Sequence, residues 1–452
     1  MNTNFNLGSL ILRMNRSMVV GGSFAAVIFI GAVLLMLPIT HTEGGWLPFV
    51  DALFTATSAT CVVGLVVVDT GTYFNLLGQL VIILLIQIGG VGVMTLTTMI
   101  ILGMGQKMGL KEKLLMNEAL GADGPAGVIG LARQIIGYTL CIELLFGTIL
   151  ALHFYFNVGM GLQSIYYGYW HSISAFCNAG FDLMGNFNSF TAFRGDYVIN
   201  ICLIMLITLG GLGFMVEGDI IKKRCWRKLR LQSKVVLTSY FILSIGGAFV
   251  IWLFEYTNPD TLANLPEGEK FLASLFQSVT VRTAGFNTID ASLLNEDTLL
   301  FLMLLMFIGG APASTAGGIK VTTFAVIIMA CIALLRGKKD VVMFRRRISE
   351  EIIHKSLGIF VLCLLWLGLA FFLLLSFDKG ENHFHLVMCE LFSAFGTVGL
   401  GVNITPQWDV FSKLVLIMTM FIGRIGILTF VMAFLEKKPS SLKYPYEDMV
   451  IG

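Results

Sequence analysis

Residues 393–426 read SAFGTVGLGVNITPQWDVFSKLVLIMTMFIGRIG. A short small-residue segment ends in the turn Thr397-Val398-Gly399-Leu400-Gly401, and an apolar helix follows that carries the phrase FIGRIG. Comparable pairs occur three more times. TCVVGL at 60–65 precedes QIGGVG at 87–92, FCNAGF at 176–181 precedes TLGGLG at 208–213, and RTAGFN at 282–287 precedes FIGGAP at 307–312. The turn glycines are Gly64, Gly180, Gly285 and Gly399, separated by 116, 105 and 114 residues. From each glycine to the matching position of the next phrase, Gly90, Gly211, Gly310 and Arg424, the spacing is 26, 31, 25 and 25 residues. A period of this kind means one structural unit used four times.

The chain around these phrases is 56% hydrophobic and 13% charged over 452 residues. Such a balance belongs to a membrane protein. Apolar runs over 18–39, 76–102, 135–156, 197–221, 235–254, 357–376 and 414–435 are each long enough to cross about 30 Å of hydrocarbon. An eighth, 299–335, is interrupted by Gly309, Gly310, Pro312, Gly317 and Gly318. The run at 18–39 lacks a cleavage pattern and is expected to stay as the first spanning helix.

Lys and Arg gather in alternate connections: Arg13 and Arg16; Lys107, Lys111, Lys113 and Arg133; 222–234; 336–355; and Lys437, Lys438 and Lys443. The intervening loops carry Asp260, Glu267, Glu269, Glu296 and Asp297. The basic connections therefore face the cytoplasm, both termini lie inside, and the net charge of +2 is topological and does not indicate nucleic-acid binding. The eight cysteines form no metal-ligand spacing and read as buried thiols.

The expected fold is all-α and integral to the membrane: four tandem repeats of helix, pore loop and helix, eight transmembrane helices plus four pore half-helices, with pseudo-fourfold arrangement about a central pore. The boundaries are 1–105, 106–225, 226–340 (with a broken inner helix) and 341–436, followed by a cytoplasmic tail at 437–452. Each unit crosses the membrane twice, so all four turns open on the side opposite the basic loops. Non-helical backbone at membrane depth is tolerated only where it is buried in protein or lines water. Rings of backbone carbonyls can replace the hydration shell of a monovalent cation, and glycine permits the backbone angles that point carbonyls inward. The candidate selectivity residues are Val62, Val63 and Gly64; Asn178, Ala179 and Gly180; Thr283, Ala284 and Gly285; and Thr397, Val398 and Gly399. The pentapeptide at 397–401 closely matches the TVGYG filter of potassium channels. Packing alone would also explain isolated glycines, but not four copies in one context.

The phrases DALFTATSAT at Asp51, ISAFCNAGF at Gly180, VRTAGFN at Gly285, SAFGTVGLG at Gly399 and MFIGRIGILTF at Arg424 resemble the Trk/Ktr/HKT superfamily of potassium transporters, most closely the membrane subunit of bacterial Ktr systems. The resemblance runs the length of the chain and departs from the pattern at Val63 and Val281. It implies potassium uptake across the bacterial plasma membrane, with potassium held by filter carbonyls and glycine in all four turns favouring potassium. Sodium dependence is also implied, with no cofactor bound by this chain. FIGGAPASTAGGIK at 307–320 would be an intramembrane gating loop, comprising Gly309, Gly310, Ala311, Pro312, Ala313, Ser314, Thr315, Ala316, Gly317 and Gly318. The implied partners are a cytosolic ring of nucleotide-binding RCK-type subunits, a second copy of this chain, and membrane lipid. The alternative is the conducting subunit of a different cation-transport complex. An enzyme is excluded by the lack of GxxxxGK[ST], HExxH and GxSxG patterns.

Three charges remain. Arg424, deep in the last apolar run, is expected to face the pore, touch the gating loop and act as a positive barrier, with a structural ion pair as the alternative. Arg282 is expected to brace the third turn from behind, and Glu143 to make a buried hydrogen bond. Asp69, Asp182 and Asp290 either draw cations to the mouth or cap loops.

Overall fold

The structure is a computed structural model that describes residues 16–92, 128–377 and 383–434. Lys107, Lys111, Lys113, Lys437, Lys438, Lys443 and the tail at 437–452 lie outside the described residues. Among the described residues four helices are long and apolar enough to cross a membrane: α1 (Arg16–Met36), α4 (Val128–His153), α8 (Leu231–Glu255) and α12 (Glu350–Phe377). Their outward faces carry large apolar side chains, among them Phe29, Leu144, Phe249 and Phe372, all more than half exposed. Apolar surface on this scale, running along four long helices, fits a lipid environment and not water.

Each long helix is followed by a shorter, mostly buried one: α2 (Phe49–Cys61), α5 (Gln163–Phe176), α9 (Glu267–Thr280) and α13 (Phe384–Gly396). A turn with a glycine follows, then another apolar helix: α3 (Leu76–Val91), α6 (Tyr197–Leu212), α10 (Glu296–Phe307) and α14 (Val410–Ile425). Side chains start three of these last helices. Asn75 accepts from the amides of Leu77 and Gly78, Asp196 from those of Val198 and Ile199, and Asp409 from that of Ser412. At α10 the task falls to Glu255, at the end of α8. Its carboxylate accepts from the Asn295 amide at 2.9 Å, the Thr298 hydroxyl at 2.5 Å, Asn258 Nδ2 at 2.7 Å and the Thr261 hydroxyl at 2.6 Å.

The runs at 197–221 and 414–435 are not the uninterrupted spans that their apolar length suggests, and of the run at 76–102 the part after residue 92 lies outside the described residues. α6 gives way to α7 (Phe214–Lys223) at a 96° bend, and α14 to α15 (Ile427–Phe434) at 99°. The helix α3 ends at Val91. In all three the helix ends at the last glycine of the phrase, with nearly the same backbone: Gly92 at φ 93° and ψ 127°, Gly213 at 88° and 133°, and Gly426 at 89° and 131°. Only glycine takes these angles without strain. In the third unit Pro312 stands at that place. There α10 and α11 (Val321–Leu335) are separated by an irregular segment over 308–320.

Long-range ties hold the units together. Lys413 Nζ lies 2.7 Å from Asp51 Oδ1, joining the starts of α14 and α2. Within the second unit, His153 Nε2 lies 2.6 Å from Asp196 Oδ2, joining α4 to the start of α6. After α11 a small hairpin pairs β1 (Val342–Met343) with β2 (Arg346–Arg347). The cysteines are not uniformly buried as expected. Cys61, Cys177, Cys202, Cys363 and Cys389 are interior, whereas Cys141 and Cys331 sit on outward helix faces and Cys225 in a connection. An apolar residue in a lipid-facing helix is as content outside as inside.

Glu255→Ala leaves four donors at the α8–α10 junction without their acceptor. The variant is expected to lose ~3 kcal/mol or more, read as a lower melting temperature of the detergent-solubilised protein.

Candidate functional site

The four turns share a backbone. Two residues before each glycine stands a side-chain-bearing residue in the left-handed region: Val62, Asn178, Thr283 and Thr397, with φ of 58°, 60°, 69° and 52°. The glycines follow at 100°, 69°, 74° and 85°, and the residue between them is not left-handed. Alternating the sign of φ turns successive carbonyls toward the same side of the chain.

The amides point the other way. Val63 N donates to Ser58 O, Ala179 N to Ser174 O and Val398 N to Ser393 O, each at 2.8 Å, while Ala284 N donates to Thr280 O at 2.9 Å. Each turn is thus pinned to the end of its own short helix. Hydroxyls add to this: Ser174 Oγ donates to Phe181 O at 2.7 Å and Thr280 Oγ1 to Phe286 O at 2.8 Å.

The turns meet in a closed ring. Gly64 lies against the Ala179 carbonyl and Gly180; Gly180 against the Ala284 carbonyl and Gly285; Gly285 against the Val398 carbonyl and Gly399; and Gly399 against the Val63 carbonyl and Gly64. A methyl group at any of them would overlap the neighbouring backbone. All four glycines border one open cavity of about 70 Å³, together with Asp69, Asp182, Asn287, Glu390 and Thr405. Among the described residues no His, Cys, Asp and Glu cluster is arranged to hold a metal ion.

Beneath the ring lies the segment at 309–318. Ala311 N donates to Gly211 O, Thr315 N to Gly210 O, Gly318 N to Gly423 O and Gly309 N to Ile319 O, and Phe214 N donates to Ala313 O. The Thr315 hydroxyl reaches Phe176 O at 3.3 Å. Gly317 packs on the side chain of Thr397 and Gly318 on Gly396, so the segment touches the fourth turn directly. Lys320 Nζ donates to Ala316 O at 2.6 Å.

Arg424 closes this arrangement. Its guanidinium donates to the carbonyls of Thr315, in the segment, and Gly89, in α3. Through these bonds the segment from the third unit is tied to α14 of the fourth, and α14 to α3 of the first. Among the described residues no carboxylate lies within ion-pair distance of it. A guanidinium in an interior needs acceptors, and carbonyls freed by broken helices supply them.

Arg282 points away from the ring, donating to the Tyr240 carbonyl at 3.0 Å and to the Ser244 hydroxyl, with its guanidinium over the Tyr240 ring. Glu143 accepts from Gln87 Nε2 at 3.2 Å. Asp69 caps the helical turn at Thr72 and accepts the Phe187 amide at 2.7 Å, bridging the first and second units. Asp290 caps Ser292 and does not border the cavity. Asp182 does border it, and loss of hydration there pushes its carboxyl up to about 6, with the nearby Asp69 charge adding to the rise and the Met184 amide opposing it.

Sequence reading named Val62, Asn178, Thr283 and Thr397 but not their left-handed backbone, because nothing in a Val or Thr announces positive φ. It also missed Glu390, whose signal was present: an acid inside the small-residue segment that precedes TVGLG.

A family model described as TrkH, cation transport protein, matches residues 10–444. The Ktr system potassium uptake protein B of Bacillus subtilis is 43% identical to the chain, with 98% of each covered. The protein of that name in Vibrio alginolyticus is 40% identical, covering 95% of this chain and 93% of the relative. The potassium/sodium uptake protein NtpJ of Enterococcus hirae is 35% identical over 97% of this chain and 98% of the relative. Among solved structures, the potassium transporter TrkH from Vibrio parahaemolyticus aligns with a TM-score of 0.74 at 16% identity, covering 96% of this chain and 87% of that one. This last likeness concerns the fold.

Replacing Arg424 with Gln removes the guanidinium bonds to Thr315 and Gly89. Amide hydrogen exchange at Thr315 and Gly318 is expected to speed up by about tenfold or more, while amides of α12 are unchanged.

Proposed function

The chain belongs to the TrkH family of cation transport proteins, and from that premise we propose that it takes up potassium across the bacterial plasma membrane through a channel-like pore. The four units are read as repeats of helix, half-helix, turn and inner helix around the pore axis. The residues 62–64, 178–180, 283–285 and 397–399 form the selectivity filter. The observation that carries this reading is the closed ring of four glycine turns bordering one cavity.

The chemistry follows from the backbone. A potassium ion sheds water only where oxygen ligands of equal quality replace it, and carbonyl dipoles do so without a fixed charge that would trap the ion. The amides are engaged behind the ring, which leaves the carbonyls as the free polar groups. The cavity beyond it carries Asp69 and Asp182, whose charge raises the local cation concentration.

The segment at 309–318 is read as the gate. It crosses under the filter and is held by weak, separable hydrogen bonds to the second and fourth units, a bistable arrangement that a partner could bias. Arg424 holds the gate shut and sets a positive barrier in the ion path. The names of the Bacillus and Vibrio relatives refer to a Ktr system, which supports a separate regulatory subunit. We take this to be a cytosolic nucleotide-binding RCK ring, with the conducting chain as a homodimer and both termini cytoplasmic. The Enterococcus relative's name gives both potassium and sodium, which is in keeping with a part for sodium.

The test is potassium and sodium uptake in cells without their own potassium uptake, expressing this chain with its cytosolic partner. Wild type is expected to restore growth on low potassium. Gly64→Ser is expected to lower potassium-over-sodium discrimination by about tenfold. No potassium flux with any partner, together with no effect of the serine, would return the turns to a packing role.

The charge of Asp182 gives a second test. Above pH about 6 it is ionised and below that pH neutral, so acidifying the outside from pH 7 to 5 removes a negative charge from the mouth. The KM for potassium is expected to rise about threefold over that range in wild type and to rise less in Asp182→Asn, where Glu390 is left as the other acid of the cavity that titrates.

A further inference from the structure

Two of the four turns are held at their outer ends by a side chain from the short helix that precedes them. In the second unit Leu183 N, three residues beyond Gly180, donates to His171 Nε2 at 3.1 Å. In the fourth unit Val402 N, three residues beyond Gly399, donates to Glu390 Oε1 at 3.0 Å. His171 and Glu390 both stand nine residues before their glycine and three before the serine that receives the turn amide, Ser174 or Ser393. Both are fully buried.

The histidine's chemistry is fixed by its partners. Nδ1 lies 2.7 Å from the Tyr167 carbonyl and must carry the proton, which leaves Nε2 as the acceptor that the Leu183 amide needs. The ring is wedged between aromatic neighbours, with Phe190 edge-on at 5.0 Å and Trp170 at 5.5 Å. Phe190 in turn packs on Phe286, the residue after Gly285, at 5.5 Å. The hold on the second turn therefore extends to the third.

The other two units place different residues there. Thr55 turns its hydroxyl back onto the Asp51 carbonyl of its own helix at 2.9 Å. Gln277, three residues before Thr280, has neither amide atom hydrogen-bonded. The anchored turns, at Gly180 and Gly399, are opposite each other in the ring, and the two without such an anchor lie between them.

We propose that His171 and Glu390 are positioning residues that fix the outer ends of two opposite filter turns and thereby set the discrimination between potassium and smaller monovalent cations. The proposal rests on the reading of the ring as the selectivity filter. A turn whose amide three residues on is unpaired is free to move its carbonyls, and a filter that can contract no longer penalises the smaller ion. Glu390 also borders the cavity, so its charge contributes to cation entry separately from its role as acceptor.

The experiment measures potassium and sodium uptake in the same complemented cells, with the amount of chain in the membrane fraction quantified. His171→Phe and Glu390→Met keep bulk and lose the acceptor. Each is expected to lower potassium-over-sodium discrimination by about tenfold. Glu390→Gln and His171→Gln keep an acceptor and are expected to stay within about twofold of wild type in discrimination, even where Glu390→Gln raises the KM. Gln277→Ala is expected to change nothing, and Gly64→Ser reports on the filter itself. Wild-type discrimination in His171→Phe and Glu390→Met, beside a loss in Gly64→Ser, overturns the positioning role alone. No loss in any of them, Gly64→Ser included, overturns the filter reading beneath it. If the Phe and Met variants do not reach the membrane, the Gln variants decide the matter, and a tenfold loss in them overturns the proposal.

Discussion

The structure depends on four stretches of main chain approaching one another more closely than any side chain would allow. Each turn glycine rests against a carbonyl of the next turn, and the fourth rests against the first. Backbone in that position has no water or lipid to satisfy it, so its amides must find partners in protein. They find them at the ends of the four short helices. Those helices must point at a common centre, so they cannot span, and the longer helices around them supply the apolar surface that they lack.

The same constraint recurs one layer below. The inner helices α3, α6 and α14 approach the short helices through Gly89, Gly210 and Gly423, where a methyl group would overlap the carbonyls of Thr60, Phe176 and Phe395. They then end at Gly92, Gly213 and Gly426. A broken helix leaves carbonyls without partners, and these became the acceptors for Arg424 and for the amides of the segment at 309–318. Polar backbone, a buried cation and an irregular loop are each unfavourable at membrane depth. Placed together they satisfy one another, which explains why all three occur at one level.

Fourfold likeness supplies the ring, and departures from it supply individuality. Arg424 replaces the second glycine of the phrase in the last unit, and Pro312 replaces the last glycine in the third. His171 and Glu390 anchor two turns, where the first and third units have Thr55 and Gln277. A ring of four identical turns would present one size to an ion. On the proposed reading, a ring with two anchored and two freer turns combines a fixed dimension with one that can yield as ions pass.

The repeat, the four long apolar helices, the turn glycines and the interruption at 309–318 were legible in the chain itself, because each has a local cause. An apolar stretch of sufficient length must be shielded from water, and a glycine at constant spacing marks a backbone need that no other residue meets. The bends at Gly213 and Gly426 could have been read from the last glycine of their phrases, but apolar length masked them, since a span and a broken span have the same composition. What only the tertiary structure decided are the relations between units. The closure of the ring, the pairing of Arg424 with carbonyls where an acid was the alternative, the reach of Glu255 to start α10, and the grip of His171 and Glu390 on amides twelve residues away all depend on which groups meet in space. A backbone carbonyl has the same identity at every position in a sequence, so no sequence can announce which one will be left free to receive a charge.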